Sequence, residues 1–275
     1  MTKINIIQHG TDGMGHQLHG LLSCLALHNI DKYYFDGCYF INKHFAFDHI
    51  EGEVSLNTKK YMTEIVKGFI KIYNQTTKHY KKQIHSHEIY NIPNTYDTET
   101  IYSFDNCYYF DRIPITPMEH KQYLINIQQI KHLFINDKLP NNRLCKNNIV
   151  IHLRQGDAMK TARGSMIHNY NQQLQNMMPL LLNKYGNHVF YIHTDGDTSF
   201  LTNILKDKSV EYNIFQKSEP ILNVLSDFIH SKVFIAGQSG LSTVCTFLGD
   251  HELIIIPDDI KHSVPENIVR ISDYE

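Results

Sequence analysis

Hydrophobic and polar positions follow a regular pattern from Asn147 to the end of the chain. Short apolar, mostly β-branched runs are each followed by a segment of helical spacing, which is typical of parallel strands joined by crossover helices. The pattern predicts five strands: Asn148–Leu153, His188–Thr194, Glu211–Phe215, Val233–Ala236 and Leu253–Ile256. It predicts four helices between them: Asn169–Lys184, Ser199–Lys206, Ile221–His230 and Leu241–Leu248. These elements indicate a Rossmann-like half.

The first half of the chain begins in the same way, with an apolar strand that leads into a loop containing glycine and then into a helix. The pattern weakens after a second short strand, and the best linker is Asp137–Asn142. We therefore expect two facing α/β domains, 1–140 and 141–275, with a cleft between them. The elements predicted for the first domain are strand Ile4–Gln8, helix His16–His28, a strand at Tyr33–Phe35 or Tyr39–Ile41, and helices Tyr61–Tyr73 and Glu119–Asn136.

Composition limits the classes of partner. The 275 residues are 42% hydrophobic, which is enough for a large core, and the net charge of -2 offers no general attraction for nucleic acid or anionic membranes. No apolar run reaches the roughly 18–20 residues that span a bilayer, and the amino terminus lacks the apolar segment of a signal peptide. Five widely spaced cysteines and eighteen histidines form no CxxC or HExxH pattern. We expect a cytoplasmic protein without a membrane span, nucleic-acid partner or bound metal.

The run His152-Leu153-Arg154-Gln155-Gly156-Asp157 stands at the carboxyl end of a predicted strand, where open α/β sheets bind their ligands. The fork of donors on Arg154 matches phosphate oxygens, and Gly156 permits a close approach of the backbone. His152 could donate a hydrogen bond to a phosphate, and Asp157 could orient the arginine. The alternative is a surface ion pair between Arg154 and Asp157.

A second candidate is the turn after strand Val233–Ala236, which is rich in hydroxyl groups and opens a helix. The unpaired N–H groups and positive dipole end of a helix start attract anions. Alternatively, Ser239 is only the N-cap of this helix. The residues assigned to the cradle are Gln238, Ser239, Ser242 and Thr243.

A third candidate is Asp195, which follows strand His188–Thr194 and could accept hydrogen bonds from a nucleobase or ribose. With Asp197 it also forms an Asp-x-Asp pattern, by which two carboxylates can hold a divalent metal against a diphosphate. A turn with an Asx cap is the remaining interpretation.

The loop after the first strand offers a general base, because Asp12, His9 and His16 all lie there. Gly13 and Gly15 would let the main chain approach a sugar or pyrophosphate, unless they serve only a tight turn.

These motifs, in this order, resemble those of the fucosyltransferase superfamily of GT-B glycosyltransferases. The His-x-Arg-Arg-x-Asp hallmark of that family is similar to residues 152–157, and its Gly-Gly-Leu-Gly-Asn-Gln loop is similar to residues 12–17. A strand ending in Thr-Asp and a Ser-x-x-Ser helix start also recur, at 194–195 and 239–242. The resemblance implies an α/β, GT-B-like fold with an acceptor-side domain at 1–140 and a domain that binds the nucleotide sugar at 141–275.

By this resemblance Arg154 would hold the donor diphosphate, Asp195 the base, and Ser239, Ser242 and Thr243 the phosphates. Gln155 replaces the second arginine of the family, so the donor is either GDP-fucose or a UDP-sugar such as UDP-xylose. The family gives Asp12 no role, because it has a glycine there.

The sequence thus predicts a metal-independent, inverting glycosyltransferase that acts on a glycan or glycoprotein acceptor and needs no cofactor besides its nucleotide-sugar donor. Asp12 would deprotonate the acceptor hydroxyl, while Arg154 and the helix start at Ser239 stabilise the leaving diphosphate. Two alternatives remain. One is a metal-dependent transferase that uses Asp195 and Asp197, and the other is a nucleotide- or carbohydrate-binding module without catalysis.

Overall fold

A computed structural model gives the structure of the protein. It describes residues 2–8, 14–15, 18–19, 22, 26, 33–40, 57–58, 60–62, 64–65, 71–73, 117–156, 158–160, 164–258 and 267–274. The chain forms two compact units, Met1–Leu139 and Pro140–Glu275. None of the helices among these residues is long and apolar enough to cross a membrane.

The first unit contains a parallel three-stranded sheet of β1 (Thr2–Gln8), β2 (Tyr33–Phe40) and β3 (Lys71–Tyr73), in that order. The predicted first strand is confirmed, and both positions considered for the second strand overlap β2. Helix α1 (Pro117–Phe134) confirms the helix predicted from Glu119 onward. The described residues between 14 and 26 are helical, as predicted for this segment.

The prediction of one helix over Tyr61–Tyr73 is wrong at its end. The described residues between 57 and 65 are helical, but Lys71–Tyr73 is strand β3 and pairs with Gly37–Tyr39 of β2. Gly68 interrupts the helical spacing, and glycine inside a helix costs about 1 kcal/mol relative to alanine. The β-branched and aromatic residues that follow it suit a strand, which the pairing with β2 then fixes.

Six parallel strands form the sheet of the second unit: β4 (Asn148–Leu153), β5 (Val189–Thr194), β6 (Tyr212–Phe215), β7 (Val233–Ile235), β8 (Leu253–Ile256) and β9 (Ile268–Arg270). They lie in the order β6-β5-β4-β7-β8-β9. All five predicted strands and all four predicted helices are confirmed, with ends shifted by at most five residues. The sixth strand, β9, was not predicted because its three residues are only partly buried and include just two apolar side chains, Ile268 and Val269. The helices are α2 (Gly164–Tyr185), α3 (Ser199–Asp207), α4 (Ile221–Ile229) and α5 (Gly240–Leu248).

Both faces of this sheet are covered, because side chains alternate along each strand. On one face Ile149, Ile151 and Leu153 of β4 pack in a cluster with apolar residues of α2 and α3. On the other face His152 contacts Phe228 of α4, with ring centroids 4.9 Å apart. The second unit is therefore a doubly wound α/β layer structure.

From β4 the chain adds β5 and β6 on one side of the sheet, and it then adds β7, β8 and β9 on the other side of β4. The direction in which strands are added therefore reverses between β4 and β7. At such a switch point the connections leave in opposite directions and open a crevice beyond the carboxyl ends of the strands, where ligands bind. The residues after Leu153 and after Ile235 stand at this crevice, and the sequence had singled out both groups.

Candidate functional site

Arg154 follows the last residue of β4 and is partly exposed, whereas its neighbour Gln155 is buried. Strands β4 and β5 pair with Leu153 opposite Thr194, so Asp195 leaves β5 beside Arg154. The Asp195 carboxylate contacts the backbone of residues 154–156, which follow β4 and which we call the Arg154 loop. Its Oδ1 accepts hydrogen bonds from the N–H of Gln155 at 2.5 Å and from the N–H of Gly156 at 2.8 Å.

Two glycines allow the loops after β4 and β5 to approach this closely. A Cβ atom on Gly156 would lie 2.8 Å from Oδ2 of Asp195 and 3.1 Å from its carbonyl oxygen. A Cβ atom on Gly196 would lie 2.6 Å from Cβ of Gln155. A larger residue at Gly196 would force the two loops apart, and a larger residue at Gly156 would displace the Asp195 side chain. The predicted approach of Gly156 to a phosphate stays a prediction.

Asp197 has a separate task. Its carboxylate accepts hydrogen bonds from the N–H of Ser199 at 3.0 Å and from the Ser199 hydroxyl at 2.6 Å, at the first residue of α3. These bonds from Ser199 lower the pKa of the Asp197 carboxyl. This is the Asx turn that the sequence allowed at this position. In the described parts of the chain, no group of three or more His, Cys, Asp or Glu side chains could hold a metal ion.

The turn between β7 and α5 passes close to the end of β4. A Cβ atom on Gly237 would lie 2.5 Å from the carbonyl oxygen of His152. Ser239 is the N-cap of α5, because its backbone is extended and its side chain accepts the N–H of Ser242 at 3.2 Å. The Thr243 hydroxyl donates to the Ser239 carbonyl at 3.2 Å. Ser239 is thus the N-cap of α5, and this capped helix start lies next to the end of β4. The predicted binding of an anion at this helix start stays a prediction.

His152 and Ser242 join these two strand ends. Oγ of Ser242, which is fully buried, lies 2.5 Å from Nδ1 of His152 and accepts the N–H of Gly237 at 3.2 Å. Burial, together with the charges of His193 and Arg154, lowers the pKa of His152 to about 3. Nδ1 of a neutral imidazole can accept a hydrogen bond from the Ser242 hydroxyl while Nε2 carries the ring proton, and we infer this tautomer from the contacts. The predicted phosphate contacts of His152 and Ser242 stay predictions. In the structure the two side chains contact each other and connect β4 with the turn between β7 and α5.

The sequence did not reveal a network of charged side chains around the buried Asp227 of α4. The Asp227 carboxylate on α4 is fully buried, 3.0 Å from Nε2 of His193, and it accepts Arg143 Nε at 3.0 Å and Nη2 at 2.6 Å. Arg143 also pairs with Glu219 at 2.6 Å and lies 4.4 Å above the ring of Phe215. Burial alone would raise the pKa of Asp227, but the hydrogen bonds from His193 and Arg143 outweigh it and leave that pKa lowered. The sequence signal for this network was Asp227, an acidic residue within the otherwise apolar pattern of α4.

The structure brings most of the predicted donor-side residues together at the ends of β4, β5 and β7. Gln238 is partly exposed in the β7–α5 turn. Gly15 belongs to the helical segment after β1, in the first unit. Three predicted residues lie outside the described residues, together with His9 and His16: Asp12, Gly13 and Asp157.

Neither a protein-family model nor the sequence of a curated protein matches the chain. Among solved structures, the protein O-fucosyltransferase POFUT1 in complex with GDP aligns over 98% of both chains with a TM-score of 0.52 and 12% identity. POFUT1 in complex with GDP-fucose aligns over 98% of this chain and 97% of that one, with a TM-score of 0.48 and 13% identity. At this identity the first likeness shows the fold. The α/β, GT-B-like fold implied by the sequence is therefore confirmed, while the cleft between two domains stays a prediction.

Proposed function

We propose that the protein is a glycosyltransferase that moves a sugar from a nucleotide-diphosphate donor to a hydroxyl group of a glycan or glycoprotein. The observation that supports this most directly is the place of Arg154 at the switch point of the second unit, beside the capped start of α5. A guanidinium and a helix N-terminus are both complementary to phosphate oxygens. At the moment of transfer they would stabilise the negative charge that develops on the leaving diphosphate.

GDP-fucose is the first donor to test, because the POFUT1 structure that shares this fold holds GDP and the sequence motifs resemble those of fucosyltransferases. Gln155 stands where the fucosyltransferase motif has a second arginine, so a UDP-sugar such as UDP-xylose is the alternative donor. A thermal-shift screen with GDP, UDP, ADP and CMP separates these cases, since a ligand that binds only the folded state raises the apparent stability. A shift with GDP or UDP supports the proposal, whereas no shift with any of the four contradicts it.

The proposed reaction inverts the anomeric centre and needs no cofactor besides the donor. Asp12 takes the proton of the acceptor hydroxyl, the hydroxyl oxygen attacks the anomeric carbon, and the bond from that carbon to the diphosphate breaks. Asp12→Asn should abolish transfer and leave donor affinity unchanged, as measured by product formation and by titration with the donor. Full activity of this variant would refute the role of Asp12.

Tight donor binding by the wild type, without turnover on any acceptor, would favour the alternative of a binding module without catalysis.

We also propose that transfer does not depend on a metal ion. The contacts of the Asp-x-Asp pair support this, because Oδ1 of Asp195 already accepts two backbone N–H groups and the Asp197 carboxylate binds Ser199. Turnover should be unchanged in EDTA. Loss of activity in EDTA, with recovery on adding Mg²⁺ or Mn²⁺, would instead support the metal-dependent alternative. The cytoplasmic location stays a prediction.

A further inference from the structure

Two consecutive backbone N–H groups in the Arg154 loop converge on a single oxygen atom. The N–H groups of Gln155 and Gly156 both donate to Oδ1 of Asp195, at 2.5 and 2.8 Å. Successive N–H groups arranged in this way form a small concavity that binds anions. In this protein the anion is a carboxylate of the same chain. A donor phosphate therefore meets a loop whose N–H groups at these two positions are already used.

The surroundings hold Asp195 in this position. Its strand is in register with β4 up to the pair Leu153 and Thr194, so both loops start from a fixed point. The Thr194 hydroxyl accepts the N–H of Gly196 at 3.0 Å, which shapes the turn after Asp195. Gln155 is buried against Gly196 at a distance that leaves no room for a side chain there. The backbone on both sides of the contact is thus restrained.

From these contacts we infer that Asp195 is a positioning residue, which holds the backbone of the Arg154 loop so that the guanidinium is placed for the donor diphosphate. This inference rests on the proposed function and replaces the expectation that Asp195 contacts the nucleobase or ribose. We call the contact of Asp195 with the N–H groups of Gln155 and Gly156 the Asp195 latch. Because the latch uses those N–H groups, the Arg154 loop binds the donor through its guanidinium. Placing a charged group before the reaction avoids reorganising it in the transition state.

Titration with a nucleotide and its nucleoside tests the inference. GDP and guanosine are the probes, or UDP and uridine if only UDP binds. Asp195→Ala should weaken GDP binding by about 10-fold or more, because small displacements of a binding group are costly. Guanosine has no phosphate, so its affinity should change less than about 2-fold under the same argument. An equal loss for GDP and guanosine would overturn the inference in favour of a base or ribose contact.

A second variant covers the case in which Asp195→Ala does not fold. Asp195→Asn keeps the shape and an acceptor oxygen, so the latch and guanosine binding should persist with a smaller loss of GDP affinity. A marked loss of guanosine affinity in Asp195→Asn would contradict the inference. In the Arg154→Ala background, a latch variant should have no further effect on GDP, since the latch acts through Arg154. Additive losses there would also overturn it.

Hydrogen exchange at the Gln155 and Gly156 amides tests the latch without any nucleotide. Protection of both amides should fall in Asp195→Ala and remain in the matched control Asp207→Ala, which removes an exposed carboxylate at the end of α3. Unchanged protection in Asp195→Ala would refute the latch itself. The exchange result also separates two failures. If the wild type binds no nucleotide, the proposed function fails, whereas the exchange pattern still shows whether the latch exists.

Discussion

At the residue scale, His152 has structural partners that the sequence around it does not reveal. The sequence suggested a donor to phosphate at the end of a strand. In the structure its Nδ1 lies 2.5 Å from the Ser242 hydroxyl, and its carbonyl oxygen lies close to Gly237. These partners are far away in the sequence and belong to α5 and the turn before it. No local pattern could therefore have identified them, whereas the position of His152 on a strand was readable.

The pH dependence of stability tests the environment of His152. Its pKa is lowered from 6.5 to about 3 in the folded protein, so between these values the unfolded chain binds a proton that the folded chain does not. The free energy of unfolding should therefore fall as the pH drops from 6.5 towards 3, by up to about 1.4 kcal/mol per pH unit from this residue. His152→Gln lacks this contribution. Urea unfolding at pH 7.5 and 5 should show a smaller loss in the variant, and equal losses would contradict the lowered pKa.

Arg143 tests the buried charge behind the site. Arg143→Ala would remove three hydrogen bonds from the fully buried Asp227 carboxylate. Hydrogen bonds to charged groups contribute about 1.5–3 kcal/mol, so we expect a loss of that order in the free energy of unfolding. Lys138→Ala is the control, because the ion pair of Lys138 with Asp137 is exposed and such pairs contribute about 0–1 kcal/mol. Equal and small losses in both variants would show that the Asp227 network does not stabilise the fold.

At the scale of secondary-structure elements, the second unit was the more predictable part. Strands β4, β5, β7 and β8 are mostly buried apolar runs, and such runs stand out from the amphipathic helices between them. Strands β3 and β9 were not predicted, and their pairing with a neighbouring strand defines them. These two elements therefore depended on the tertiary structure.

Ser239 caps the start of α5, and we propose that the same helix start binds a phosphate of the donor. Mutations can separate these two roles. Ser239→Asp keeps an N-cap of similar quality, so stability should change by less than about 0.5 kcal/mol. The added carboxylate would repel a diphosphate, and nucleotide affinity should fall about 10-fold or more, equivalent to roughly 1.4 kcal/mol. Ser239→Ala should do the reverse, with about 1 kcal/mol lost in stability and a smaller loss of affinity. Chemical denaturation and nucleotide titration measure the two effects. Unchanged nucleotide affinity in Ser239→Asp would show that no phosphate lies at this helix start.

At the scale of the whole molecule, the sequence predicted the fold class and the site for different reasons. Alternating strands and helices indicate a parallel sheet, but they do not give the order of its strands, which only the structure shows. The Asp195 latch joins residues about forty positions apart, and it became visible only when β4 and β5 were paired. The motifs around Arg154 and Ser239 could be singled out because ligands of open α/β sheets bind beyond the carboxyl ends of the strands. Their supporting contacts could not be found, since those contacts come from tertiary packing.

The net charge of -2 gives the molecule no general attraction for anions, so nucleotide binding must depend on the local site. The affinity of GDP and UDP for the wild type and for Arg154→Ala, measured by calorimetry, therefore tests the central claim most directly. We predict that at least one of the two binds the wild type, and that Arg154→Ala weakens it by about 10-fold or more, because charge-assisted hydrogen bonds are lost. Equal affinity of the two proteins, or no binding to the wild type, would contradict the claim.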